Sequence, residues 1–285
     1  MVDKAIYEGE RETAWCPGCG NFPLRQILVD ALVDLDLKPS EVTMFTGIGQ
    51  APKMPHYMKI NGFNGLHGRA LPPAIGMRVA NKDMKVIVET GDGNAYGEGG
   101  NHLLHNIRRN PDLAHFVHDN QIYGLTKGQA SPTSGEEIKS PVQPNGITAQ
   151  PLNPIKFAVS MEASFVARGF VGNRDNLKML MQEALKHRGY ALIDILQPCV
   201  SFNKVNTYQW YAQRVYEIGD DYNPTDYEAA MKKAEEWGDD IPLGIIYKNE
   251  DKEIFHDKLP QVDDEPLVEK ESSPQDKEDL LNEFK

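Results

Sequence analysis

Cysteine is scarce in this sequence, with three among 285 residues. An odd count cannot make a fully paired disulfide framework, and a chain of this length can bury a core without one. No run approaches the roughly 18–20 apolar residues that span a bilayer. The Met-Val-Asp-Lys start lacks the apolar stretch of a signal peptide. Positive charge is also short: 30 Lys and Arg stand against 42 Asp and Glu, a formal charge of −12. Nucleic-acid or anionic-membrane binding needs clustered basic side chains, so both are excluded as the main role. A reducing, cytoplasmic location is the expectation.

The negative charge is unevenly spread. Residues 249–285 hold 13 acidic and five basic side chains, −8 of the total −12, so the first 248 residues carry only −4. The stretch 261–285, rich in Pro, Ser and charge, reads as a flexible acidic tail. Upstream, short apolar runs alternate with amphipathic stretches. Leu24, Ile27, Leu28, Ala31, Leu32 and Leu35 share one helical face, and helices are also expected over 72–80, 101–109 and 175–187. The runs 42–45, 84–88, 114–117 and 190–195 read as strands. This alternation predicts an α/β protein with a parallel sheet flanked by helices. Residues 202–260 read as a C-terminal arm with a helix near 225–237 and a strand at 243–247.

The most informative segment is Glu89-Thr90-Gly91-Asp92-Gly93-Asn94, just after the 84–88 run. Ligands of doubly wound sheets bind at the carboxyl ends of the strands. The glycines let the backbone approach a phosphate, which the next helix receives at its N-terminus. Gly91-x-Gly93, with Asp119 further on, is compatible with a Rossmann NAD site, but a lone Gly-x-Gly is weak evidence. Asp92 argues for another ligand, because a carboxylate repels a pyrophosphate unless a divalent cation bridges them. Mg²⁺ takes oxygen ligands in octahedral geometry. Asp92, the Asn120 side chain at the end of the neighbouring strand and the Ile122 carbonyl make such a set, a metal–diphosphate clamp.

Gly-Asp-Gly followed at this distance by Asn resembles the thiamine diphosphate motif. More specific are Leu66-His67-Gly68-Arg69-Ala70-Leu71-Pro72, Gly99-Gly100-Asn101-His102, the run Asp119-Asn120-Gln121-Ile122-Tyr123-Gly124-Leu125-Thr126-Lys127-Gly128-Gln129, and Trp15-Cys16-Pro17-Gly18-Cys19-Gly20. Together they resemble the β subunit of the 2-oxoacid:ferredoxin oxidoreductases, from about residue 14 to about residue 215. The resemblance implies a thiamine diphosphate-binding fold. The expected division is a thiamine diphosphate-binding domain with an N-terminal Cys-x-x-Cys segment at 1–201, the arm at 202–260 and the tail at 261–285. It implies that Asp92, Asn120 and the Ile122 carbonyl hold Mg²⁺. Gly91, Gly93, Asn94, Gly124, Leu125, His67 and Gly68 would surround the diphosphate and thiazolium. Many family members have an acid where this chain has Asn94, and an amide still donates to phosphate oxygens. Lys53 and Lys127 match positions that face the 2-oxoacid carboxylate.

Taken alone, Cys16-x-x-Cys19 permits half a zinc site or a thioredoxin-like motif. No second ligand pair is evident for zinc, and residues 5–14 are too polar for the strand that thioredoxin places before its motif. The resemblance implies a [4Fe–4S] cluster on four thiolates, three of them matched by Cys16, Cys19 and Cys199. Members commonly carry the fourth directly after Gly-Ile-Gly, where this chain has Gln50. A non-thiolate fourth ligand, a labile or three-iron cluster, and a site without iron all stay open. His102 and His105 share a helical face, but His115 and His118 are three apart on a strand and face opposite sides, so no histidine metal site is expected.

The implied activity is CoA-dependent oxidative decarboxylation of a 2-oxoacid, 2-oxoglutarate favoured, with electrons passed to ferredoxin. Enzymes resembling this chain bind the aminopyrimidine in a second domain, so an α subunit that holds it is expected as partner. The alternatives are a non-oxidative thiamine diphosphate-dependent decarboxylase subunit and the Rossmann NAD-binding protein.

Overall fold

Strand and helix alternate along most of the chain in the computed structural model, which describes residues 2–140, 142–260, 262, 265–271 and 273–284. Helix α1 (Asn21–Asp34) leads to β1 (Val42–Thr46), a 3₁₀ segment at Ala51–Tyr57 and β2 (Asn61–Asn64). Helix α2 (Leu71–Ala80) precedes β3 (Lys85–Gly91), which passes into a π-helical turn at Gly93–Glu98 and then α3 (Gly100–Arg109). Strand β4 (Leu113–Asp119) is followed by a small hairpin of β5 (Ile122–Tyr123) and β6 (Gln129–Ala130). Next come α4 (Pro154–Ser160), β7 (Phe165–Phe170), α5 (Arg174–Lys186) and β8 (Tyr190–Leu196). The last third adds α6 (Tyr208–Ala212), β9 (Val215–Glu217), α7 (Tyr227–Glu235), β10 (Ile241–Lys248) and α8 (Pro274–Glu283).

Eight strands form one sheet in the order β2-β1-β3-β4-β8-β7-β10-β9. Every neighbouring pair is parallel except β10 on β7. The stretch read as an arm thus contributes two strands to the same sheet. Side chains alternate across the sheet with period two. Val86, Val88, Leu113, Val117 and Leu192 pack with α2, α3, α4 and α7, whereas Ile87, Ala114, Phe116, Ile193 and Ile195 pack with α1 and α5. The central strands are therefore buried on both faces, as a parallel sheet requires. Each large apolar side chain taken from water contributes about 1.5–3 kcal/mol.

Register sets the working edge. Gly91 of β3 lies opposite His118 of β4, and Asp119 opposite Leu196 of β8. The loops after three consecutive strands therefore leave the sheet side by side. His115 and His118 do face opposite ways. His115 bonds Thr90 Oγ1 at 2.8 Å and Tyr190 OH at 2.6 Å, and burial pushes its pKa down to about 3. His118 contacts Asn21 Oδ1 at 2.9 Å and pairs with Glu89. In the acidic tail, Pro266 is buried and Val268 N–H donates to the Ala80 carbonyl, while α8 is exposed throughout.

Candidate active site at the carboxyl edge of the sheet

The loops after β1, β3, β4 and β8 meet the Cys16–Cys19 turn around one cleft. Its walls include His67, Gly91, Asp92, Gly93, Asn94, Asn120, Ile122, Gly124 and Leu125, together with Gln50 and all three cysteines. Gly68 lies just behind. Its φ of +72° suits glycine, and a Cβ there would lie 2.4 Å from the Glu98 carbonyl carbon. The Gly68 N–H donates to Asn94 Oδ1 at 2.8 Å, and the Ile48 N–H donates to the same oxygen at 3.1 Å. Asn94 thus ties the loops after β1 and β2 to the turn after β3. A carboxylate oxygen would accept both donors equally, so the amide preserves the geometry. Its Nδ2 is the end that can donate to a ligand.

Asp92 is 2% exposed. Its Oδ2 is 2.9 Å from Thr133 Oγ1, which is also 2.6 Å from Asp119 Oδ1. One hydroxyl proton cannot serve both carboxylates, so this cluster calls for a further proton or a cation. Asp194 lies nearby, accepting from Tyr96 OH at 2.7 Å, with Arg168 Nε 3.9 Å from its other oxygen. Three buried carboxylates against one guanidinium leave two negative charges unbalanced. Burial accordingly pushes the Asp92 and Asp119 carboxyls upward and Asp194 to about 6. A divalent cation on Asp92 would supply the missing charge, so the oxygen donors here suit Mg²⁺. Asn120 Oδ1 accepts from the Ile122 N–H at 3.0 Å in an Asx turn. The Asn120 carbonyl accepts from Asn203 Nδ2 at 3.3 Å, fastening the 202–206 segment to the loop. Among the described residues no three His, Cys, Asp or Glu side chains, the three thiols included, converge on one ion position.

Three side chains here escaped the sequence reading. Thr133 and Asp194 come from segments far from the glycine motif, and no local pattern marks them. Glu98 accepts from Tyr123 OH at 3.0 Å and pairs with His67 Nδ1 at 3.1 Å. Burial, and then Glu98, raise the Tyr123 pKa. Asp119 is bonded to Thr133 and the Gln121 N–H and does not line the cleft, so it cannot serve a ribose there as the Rossmann reading requires. Lys53 in the 3₁₀ segment is half-buried and Lys127, at φ +75°, is exposed; neither lines the cleft.

The Cys19 N–H donates to the Cys16 carbonyl at 3.0 Å, closing a tight turn through Gly18 at φ +79°. Trp15 packs edge-on to Phe22 and Tyr57, and its Nε1 donates to the Gln50 carbonyl at 2.9 Å. Asn21 Oδ1 accepts from Gln197 Nε2 at 3.0 Å and meets His118. The line Glu89–His118–Asn21–Gln197 thus binds both cysteine-bearing segments to β3 and β4. Burial pushes the Cys19 thiol up to about 11; the Asn21 N–H opposes this, and the Cys199 and Cys16 thiols add to it. The three free thiols are therefore electrostatic neighbours in one cleft, a soft donor set that suits an iron–sulfur cluster.

Known proteins share this sequence and fold. Residues 42–195 match the model of the thiamine pyrophosphate enzyme, C-terminal TPP binding domain, and residues 199–264 match that of the C terminal of the pyruvate ferredoxin oxidoreductase beta subunit. The chain is 41% identical over 270 residues to 2-oxoacid:ferredoxin oxidoreductase 1, subunit beta, from Aeropyrum pernix, covering 90% of this chain and 84% of that one. It is 40% identical over 291 aligned positions to the 2-oxoacid:ferredoxin oxidoreductase subunit beta of Saccharolobus solfataricus, covering 94% and 95%. A solved structure of 2-oxoglutarate:ferredoxin oxidoreductase from Magnetococcus marinus, with 2-oxoglutarate, coenzyme A and succinyl-CoA bound, matches at a TM-score of 0.90. Identity to it is 33%, covering 98% of this chain and 96% of that one.

Proposed function

This chain belongs to the 2-oxoacid:ferredoxin oxidoreductase beta-subunit family, and we propose that with an α subunit it oxidatively decarboxylates 2-oxoglutarate to an acyl-CoA, passing electrons to ferredoxin. The observation that carries the reading is a single cleft joining the Asp92 clamp to three thiols. Thiamine diphosphate supplies the nucleophilic carbon and electron sink that decarboxylation needs, and an iron–sulfur cluster accepts electrons one at a time. Asp92, Asn120 and the Ile122 carbonyl hold Mg²⁺. Gly91 and Gly93 let the backbone reach the diphosphate, and Asn94, His67, Gly68, Gly124 and Leu125 frame it. Cys16, Cys19 and Cys199 hold the [4Fe–4S] cluster.

Lys53, three residues after Gln50, and Lys127, two after Leu125, sit outside the cleft lining on flexible stems, and two cations suit a substrate with two carboxylates. Their approach places positive charge beside the substrate, where exclusion of water strengthens it. Exposed Ile48 and Leu125 line the mouth, and Leu66 adjoins His67 in its wall. The α subunit packs over this apolar rim and supplies the pyrimidine-binding domain. The preference for 2-oxoglutarate is supported by the Magnetococcus marinus likeness. A cytoplasmic location accords with three free thiols; among the described residues no helix is long and apolar enough to cross a membrane.

Calorimetry of Mg²⁺–thiamine diphosphate binding to the α/β complex tests the clamp. Asp92→Ala should abolish binding, and unchanged affinity refutes the assignment. Gln50, standing where a fourth thiolate is expected, favours a second reading, a non-oxidative decarboxylase subunit. Aldehyde as product, with ferredoxin left oxidised, would select it.

A further inference from the structure

Gln50 is the odd member of the thiol cleft. Its backbone is fixed, since its carbonyl accepts from Trp15 Nε1 at 2.9 Å and from the Lys53 N–H at 3.4 Å. Trp15 directly precedes Cys16, so this bond joins Gln50 to the cysteine turn. The end of the side chain is different: Oε1 is buried and has no hydrogen-bond donor. A buried acceptor without a partner calls for an explanation, and an ion or a redox group at that place is one; among such atoms of this chain, Gln50 Oε1 and Gln197 Oε1 belong to residues that line the thiol cleft. Nothing in the Mg²⁺ clamp uses it.

We infer that Gln50 Oε1 is the fourth ligand of the iron–sulfur cluster, so that three irons are held by Cys16, Cys19 and Cys199 and the last by an amide oxygen. The inference rests on the cluster reading above and deepens it. A neutral, hard oxygen binds iron in a sulfide-rich cluster more weakly than a thiolate does. The oxygen-held iron is therefore the exchangeable one. Against a one-electron oxidant such as ferricyanide, the cluster sheds it as [4Fe–4S]²⁺ → [3Fe–4S]⁺ + Fe²⁺ + e⁻, the electron reducing the oxidant. Fe²⁺ and a one-electron reductant such as dithionite reverse the step. Iron supply and oxidant exposure would thus set the state of the electron-accepting site without any change in fold.

The test uses the α/β complex purified without oxygen, comparing wild type with Gln50→Cys and Gln50→Ala. Iron and sulfide are counted and EPR spectra recorded before and after ferricyanide, then after Fe²⁺ with dithionite. The wild type should lose one iron in four and gain the S = 1/2 signal of a three-iron cluster, reversibly. Gln50→Cys should keep four irons under the same oxidant, and Gln50→Ala should lose the fourth iron without any. A wild-type cluster as resistant as that of Gln50→Cys overturns the inference. So does a Gln50→Ala cluster indistinguishable from wild type, or a three-iron wild type that takes up no Fe²⁺. In each of those outcomes the cluster itself survives. A complex with no iron or sulfide, even after anaerobic reconstitution, removes the cluster reading and this inference with it.

Discussion

Asp194 illustrates how much a single side chain can hold against solvation. Burial pushes its carboxyl to about 6, with Arg168 and the Tyr96 hydroxyl opposing the shift and Asp92 adding to it. In the unfolded chain an aspartate ionises near about 3.9. Between about pH 4 and pH 6 the unfolded chain has lost this proton while the folded chain keeps it. The contribution of Asp194 to stability is therefore greatest below that window and falls as pH rises through it. In urea unfolding of metal-free protein, Asp194→Asn should lose less stability than wild type between pH 4.5 and 7. Parallel pH profiles would sink the claim. The sequence singles out Asp92 and Asn120 because a bridged diphosphate calls for their types at adjacent strand ends, and both residues line the cleft. Asp194 and Thr133 were not legible in it, because they reach Asp92 only through the tertiary fold.

At the level of elements, the turns are held by fit as much as by hydrogen bonds. Gly68→Ala meets a positive φ and the Glu98 backbone at once, a strain of about 1–3 kcal/mol. It should lower Tm and cofactor affinity together, since the Gly68 N–H also serves Asn94. Gly76, inside α2, has open space where a Cβ would go. Gly76→Ala should therefore stabilise by about 0.4–1 kcal/mol with affinity unchanged. If both variants move Tm alike in calorimetry, the Gly68 strain argument fails. Helices and central strands were legible because periodicity betrays burial. The reading passed over β2, whose four residues are all exposed, and β7, where Arg168 interrupts the apolar run. Arg168 is nonetheless buried, beside Asp194 and over the Trp237 ring at 5.3 Å, a tertiary arrangement that no local pattern announces.

For the molecule as a whole, the proposed function has the chain present the diphosphate end of a cofactor site and leave its other side to the α subunit. The isolated chain should bind Mg²⁺–thiamine diphosphate yet turn over no 2-oxoacid, and adding the α subunit should restore the reaction. Turnover by the isolated chain, assayed with ferredoxin and CoA, would count against a shared site. The family was legible from four sequence blocks in order. The mixed sense of the sheet was not, because β10 returns antiparallel to β7 through long-range pairing.

The register of β3, β4 and β8 carries a last consequence. Asp92 and Asn120, the proposed clamp, follow the ends of β3 and β4, and Cys199 follows the end of β8, the strand paired with β4. Strands in a sheet are spaced about 4.8 Å apart, so in the proposed function the hydrogen-bonding repeat would work as a ruler between the place where electrons are released and Cys199. Tunnelling rates are acutely sensitive to such a gap. The spacing of the strand ends themselves changes only when central strand pairs break, so the sheet would hold that part of the separation fixed.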